Sequence, residues 1–183
     1  MLNSVCELIY KLIRKIKSLF YTFIFKNMTG NCNSTGLKID GFVDYRVRKI
    51  KIGKNVRIYN NVVFAGTGEI VIGDNVQIGN NVIIFASEEG GVSIGNDVSI
   101  AANCYIIDTN HGTSSNEKIN LQANLSEKIE IGNDVWIAAS TMVVKGAKIP
   151  DGVVVGANSV VNKELESYGI YVGSPVKKIK DRQ

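Results

Sequence analysis

The stretch 129–161, IEIGNDVWIAASTMVVKGAKIPDGVVVGANSVV, decides the fold. Within it Ile131, Ile137, Val143, Ile149, Val155 and Val161 fall in unbroken steps of six residues. A second small or branched residue sits four positions after a leader, as Val135 and Val153 do. Self-similarity at a short fixed period is the mark of a solenoid, and a period of six points to a parallel β-helix. The reason is geometric. Side chains on an extended strand alternate between faces, so one aliphatic per short strand points inward while its neighbours face out. Gly and Asn tolerate the backbone angles that corners need. Three strand-and-corner units make one triangular coil, and stacked coils align their aliphatics into a continuous core.

Working outward, the same beat runs through Ile52, Ile58, Phe64 and Ile70, restarts at Ile72, Ile78 and Ile84, and restarts again at Ile94, Ile100 and Ile106. The phrases IGKNV (52–56), IGDNV (72–76) and IGNDV (94–98 and 131–135) repeat one corner device. The beat breaks at 66–69, at 87–91 and, at greatest length, over 108–128, DTNHGTSSNEKINLQANLSEK. A polar break of that length in a compact domain points to function. The predicted fold class is therefore all-β, a parallel β-helix over 52–166 with an extruded loop at 108–128, left-handed as coils with this repeat are known to wind. An N-terminal helix (1–27), a transition segment (28–51) and a basic C-terminal tail (167–183) flank it.

Composition narrows the function classes. The chain has 183 residues with 18 Gly and only 2 Pro, which suits repetitive β structure with tight corners. A net charge of +4 is mild and dispersed, so nucleic acid is not an expected partner. Cys6, Cys32 and Cys104 lack metal-ligand spacing and cannot all pair within one chain, so a reducing cytoplasm is the expected compartment. At the N-terminus Val5, Leu8, Ile9, Leu12, Ile13, Ile16, Leu19, Phe20, Phe23 and Ile24 follow helical spacing, interrupted by Lys11, Arg14, Lys15 and Lys17. Such a helix lies peripherally on the inner face of a membrane, covers the open end of the solenoid or packs in an oligomer.

His111 is the only histidine, and it falls in the long break. A neutral imidazole suits general-base work near neutral pH. Asp108, three residues earlier, is the expected partner that orients the ring or stabilises its charged form.

Repeats, DTNHG at 108–112, IEIGNDVWIAAS at 129–140 and the closing VVVGANSVVNK…YVGSPVKKIK occur in an order that resembles the hexapeptide-repeat acyltransferases. The likeness is to the branch of galactoside, maltose and xenobiotic acetyltransferases and O-antigen or capsule O-acetyltransferases, and it covers about residues 50 to 180. The resemblance implies a homotrimer with acetyl-CoA in the clefts between prisms, a saccharide hydroxyl as acceptor, His111 as base and no metal. It also implies that Trp136 stands beside acceptor and thioester, and that Ala138, Ala139, Ser140, Ala157 and Asn158 line pantetheine. Two of these depart from relatives, which have Gly at Ala138 and a Gly-Ala-Gly stretch where Ala157 and Asn158 stand. Asn162 and Lys163 match a polar–Lys pair at the cofactor, and Lys177 and Lys180 match basic positions at its phosphates. Asn80, Glu88 and Asn110 are the acceptor-binding candidates, with Glu89 beside them.

Four alternatives use a similar solenoid. A metal enzyme of the γ-carbonic anhydrase type needs several histidines, and one is present. A serine O-acetyltransferase carries a much longer helical N-terminal region. An N-acetyltransferase acting on a nucleotide-linked amino sugar, and a catalytically silent scaffold, both remain open.

Overall fold

The computed structural model describes residues 2–31 and 34–183, a three-sided parallel β-solenoid entered through one helix, α1 (Leu2–Thr29). Every leading residue of the beat from Ile52 to Val161 is buried, and so are Val56, Val62, Val76, Val82, Val98, Val135 and Val153. The first side stacks the strands Lys38–Ile39, Arg57–Ile58, Gln77–Ile78, Ser99–Ile100, Trp136–Ile137, Val154–Val155 and Gly169–Val172 in parallel and in chain order. The second and third sides form one nine-stranded sheet, because the strand Val62–Ile72 bends around the corner between them.

The coils begin earlier and end later than the aliphatic beat indicates. Ile39 pairs with Ile58 and Tyr45 with Phe64, so much of the segment expected as a transition is already the first coil. At the other end Tyr171 pairs with Val155 and is buried, and only afterwards does Lys177–Asp181 fold back antiparallel. In each of these terminal coils a tyrosine, Tyr45 or Tyr171, occupies a leading position.

Two columns of residues hold the corners. Asn61, Asn81, Asn103, Ser140 and Asn158 have φ between 55° and 62°, and Asn55, Asn75, Asp97 and Asp134 are alike at 53° to 59°. Asn adopts this left-handed region because its short polar side chain bonds locally. Here it bonds to the next rung instead: Asn61 Nδ2 donates to Asn81 Oδ1 at 2.9 Å, and Asn81 Nδ2 to Asn103 Oδ1 at 3.0 Å. Asn81→Ala is expected to cost about 1–2 kcal/mol through the φ penalty alone, whereas Asn81→Gly loses only the ladder bonds. Urea unfolding of the two variants checks the order.

The surplus residues all leave at a single corner. Ile131 pairs with Ile149, eighteen residues on, which is the plain coil. Ile52 pairs with Ile72, Ile72 with Ile94 and Ile94 with Ile131, at separations of 20, 22 and 37. The steps between third and first sides and between first and second sides stay at six, so each insertion sits between the second and third sides. The three breaks are stacked.

The last turns of α1 cover the open end of the solenoid. Phe25 is buried, with its ring centroid 5.9 Å from Tyr45 and 6.2 Å from Phe64. The Ile39 N–H donates to Thr22 Oγ1 at 2.9 Å, and Asn31 bonds the edge backbone of Ile50 and Ile52. These contacts satisfy strand-edge groups that would otherwise template aggregation. Most of the remaining helix is exposed, and no described helix is long and apolar enough to cross a membrane. Cys6 is exposed and free. Cys104 is buried within a coil, where burial pushes its thiol pKa up, as suits an inert packing residue; Cys32 lies outside the described residues.

Candidate active site

The longest insertion is an ordered arm. After the strand Tyr105–Ile107 the chain leaves the second side, and Thr109–His111 pairs antiparallel with Asn124–Ser126. Gln122 pins the arm's tip: its Oε1 accepts the Ser114 N–H at 2.8 Å, and its Nε2 donates to Ser114 O and Glu117 O at 2.9 and 2.8 Å. His111 faces Asn124 across this ribbon and is exposed. Asn110 faces Leu125 on the opposite face, because neighbouring strand residues alternate.

Asp108 does not do what its spacing suggested. It is fully buried, and its carboxylate accepts the Ser87 N–H at 2.8 and 2.9 Å, the Ser87 hydroxyl at 2.8 Å and the Gly91 N–H. Residues three apart share a face on a helix, but on extended chain they point to opposite faces. Asp108 therefore turns inward and ties the arm's base to the insertion stacked against it, while His111 turns outward. A Cβ added at Gly90 would collide with this carboxylate. Asp108→Asn would oppose an amide N–H₂ to a backbone N–H and is expected to cost about 2 kcal/mol, read as a lowered thermal midpoint.

The candidate site residues fall into two groups on two corners. The arm's corner, between the second and third sides, carries Asp108, Asn110 and His111 together with Glu88 in the preceding coil. Asn162 and Lys163 stand on the same corner two coils beyond, both exposed. Glu88 is bound to Arg48 at 2.6 Å, across exposed side chains. The other group gathers at the corner between the first and second sides. Trp136 is 53% exposed on the outer face leading to that corner, between Ser99 and Val154 in register. Ala138, Ala139 and Ser140 turn the corner, and Ala157 and Asn158 turn it one coil later. The Asn158 N–H donates to Ala139 O at 3.0 Å, so the two levels are in contact.

Ser140 and Asn158 are also rungs of the left-handed corner column, which gives each a structural use in the coil. Asn80 sits on this corner too, its Oδ1 accepting the Asn60 N–H at 3.1 Å. The tail joins at the top: Val160 N–H donates to Gly173 O and Val176 N–H to Val160 O, each at 3.0 Å, which starts Lys177 beside the coil of Asn158. Lys180 follows along the first side, in register with Ile170. Between them Lys178 is held by Asp181 and Glu166 at 2.7 Å each, and these partners raise its pKa.

One neighbour of Trp136 was not legible in the sequence. Arg182 returns to the first side and donates from Nη1 to Asp134 Oδ2 at 2.8 Å. With Asp97, Ser99, Asp134 and Trp136 it lines an open cavity of about 360 Å³. Its partner is 48 residues away, and no local pattern marks the pair. Among the described residues, no three His, Cys, Asp or Glu side chains group as a metal site.

Comparison with known proteins agrees with this architecture. Residues 128–163 match the family model of the bacterial transferase hexapeptide (six repeats), and residues 69–107 that of the hexapeptide repeat of succinyl-transferase. The chain is 54% identical over 52 residues to a chloramphenicol acetyltransferase of Klebsiella aerogenes, over 28% of this chain and 25% of that protein. It is 37% identical over 97 residues to a protein of Escherichia coli (strain K12) named for lipopolysaccharide biosynthesis O-acetyl transfer, over 49% of this chain and 50% of that one. The matches thus span a quarter to a half of these relatives' length. A variant of an N-acyltransferase from Bacillus cereus, solved with dTDP-4-amino-4,6-dideoxyglucose and coenzyme A, superposes with a TM-score of 0.74 at 26% identity, over 82% of each chain. With buried hexapeptide leaders through successive coils and repeats that fit a left-handed β-helix, the chain carries the bacterial transferase hexapeptide repeat and is similar to acetyltransferases built on it.

Proposed function

We propose that the protein transfers an acetyl group from acetyl-CoA to a hydroxyl of a saccharide, in surface polysaccharide synthesis, with His111 as general base. The observation that carries this reading is the exposed histidine on an ordered arm at one corner, with the small-residue wall at another. The arm also exposes Ile119, Leu121 and Leu125, apolar side chains that its own prism does not cover. A homotrimer about an axis parallel to the solenoid brings the arm's corner of one copy against the wall corner of the next. His111 then faces Trp136, Ala138, Ala139, Ser140, Ala157 and Asn158 of a neighbour.

In such a cleft the chemistry is direct. The imidazole takes the acceptor's hydroxyl proton as its oxygen bonds to the thioester carbonyl carbon. Collapse of the tetrahedral adduct breaks the carbon–sulfur bond, and the leaving thiolate ends as CoA thiol with that proton. The small side chains at the wall corner admit pantetheine close to the backbone, and Lys177 and Lys180 supply point charges for the phosphates. Dependence on acetyl-CoA puts the reaction in the cytoplasm.

A second reading is favoured by the likeness to the Bacillus cereus N-acyltransferase, whose structure holds a nucleotide amino sugar. In that case the same base deprotonates an amine. Release of CoA thiol from acetyl-CoA, measured across saccharides, nucleotide amino sugars and serine, separates the two. Thiol release with neutral saccharides supports O-transfer; release only with amino sugars replaces it by N-transfer. No release with any acceptor, and no heat of acetyl-CoA binding, leaves a scaffold.

A further inference from the structure

We propose that α1 docks on an anionic lipid surface through its unpartnered apolar stripe. The stripe is real and uncovered. Leu8, Leu12, Ile16, Leu19, Phe20 and Phe23 are 55–69% exposed, and all lie on one face at 100° per residue. The opposite face is the one that meets the solenoid. Phe25 is buried there, and Ser18 and Thr22 are half-buried. Continued toward the N-terminus, that inner face carries Glu7, Lys11 and Arg14. Helix and prism therefore make a unit in which the polar side looks inward and the apolar side looks away. The apolar surface continues to exposed Met28 and Phe42, at the rim of a cavity of about 310 Å³ between helix and first coil.

Charge selects the occupant. Between residues 5 and 24 the helix has four cations, Lys11, Arg14, Lys15 and Lys17, and one acid, Glu7, which is held by Lys11 at 2.6 Å. Lys15 and Lys17 fall on the two borders of the stripe, where long stems lie along apolar surface while their ammonium groups reach anionic headgroups. Val5, Ile9, Leu12, Ile16, Leu19 and Phe23 also alternate by four and three, a spacing that a seam between helices could use. Such a seam would gather the bordering lysines of every copy with no acids to pair them, and like charges oppose it. A lipid surface meets the same cations with opposite charge. In a trimer the three stripes would share one end of the assembly and bind with avidity.

The test uses the full chain with vesicles of phosphatidylcholine alone and vesicles that also contain phosphatidylglycerol, read by co-sedimentation and needing no acceptor. The expected result is partition onto the anionic vesicles, weak partition onto the neutral ones, and loss at high salt. Lys15→Gln and Lys17→Gln should each weaken partition roughly fivefold. The double variant Leu12→Asp, Ile16→Asp should abolish it, with circular dichroism and sedimentation mass unchanged. Absent partition onto anionic vesicles, or equal partition onto both kinds, overturns the proposal. So does a fall in sedimentation mass on the double substitution, which would assign the stripe to a second copy of the chain.

Discussion

His111→Ala is expected to lose about 10²–10⁴-fold in turnover, the usual contribution of a general base. No other histidine exists to replace it. The loss should fall on kcat more than on KM for acetyl-CoA, because the ring faces outward from the arm and the proposed cofactor wall lies on another corner. Folding should be untouched, since His111 is an exposed strand residue opposite Asn124. Stopped-time thiol release with saturating acceptor, set beside thermal unfolding of the same sample, measures both quantities. Activity within a few-fold of the parent would remove the base from the mechanism. Asp108→Asn should show the contrasting pattern, with lowered stability and a smaller, indirect loss of rate.

Phe64→Ala should give the largest loss of stability, about 3–5 kcal/mol. Phe64 is fully buried in the second side and approaches Phe25 of α1. Removing its ring deletes buried aromatic surface and leaves a cavity that the stacked coils on either side cannot close, since their strands are fixed in register with Tyr45 and Ile84. For a chain of this length the shift is roughly 10 °C in Tm. The solenoid is quasi-one-dimensional, each coil touching only its neighbours, so the damage should concentrate at the α1 end. Hydrogen exchange should quicken around 38–85 and remain slow around 129–161. Uniform loss of protection would contradict that picture.

The regular part of this molecule was plain in its sequence because burial repeats every six residues, and Ile131 to Val161 cannot satisfy that period any other way. The terminal coils are less plain because Tyr45 and Tyr171 fill leading positions that the regular coils give to Ile, Val or Phe64, and the steps of six do not continue unbroken through them. His111 stands out in the sequence by its solitude and its place in the longest break, and its position on an exposed arm strand follows from the pairing of Thr109–His111 with Asn124–Ser126. Asp108 was misjudged because sequence distance was read without the alternation of extended chain; its actual partners, Ser87 and Gly91, sit one coil away in space. The Arg182–Asp134 pair had no signal at all, since the tail's return to the first side is set by tertiary pairing of Lys177–Asp181 with Gly169–Val172. The stacking of all three insertions on one corner follows from numbers present in the sequence, the coil lengths, once the plain eighteen-residue coil is known.

In the proposed oligomer the arm of one copy works against the wall of another. This pairing is tested most directly by co-expressing two inactive variants, His111→Ala and Ala157→Tyr, and measuring CoA thiol release from their mixture. Ala157 is exposed at the wall corner, so the tyrosine fills the cleft without entering the core. Each variant alone should be nearly silent. Over all assemblies closed at random from an equal mixture, about a quarter of the clefts pair an intact arm with an intact wall (about a third within mixed trimers), and activity should return to about that share. Co-purified mixed assemblies that stay as silent as either variant alone would contradict the account.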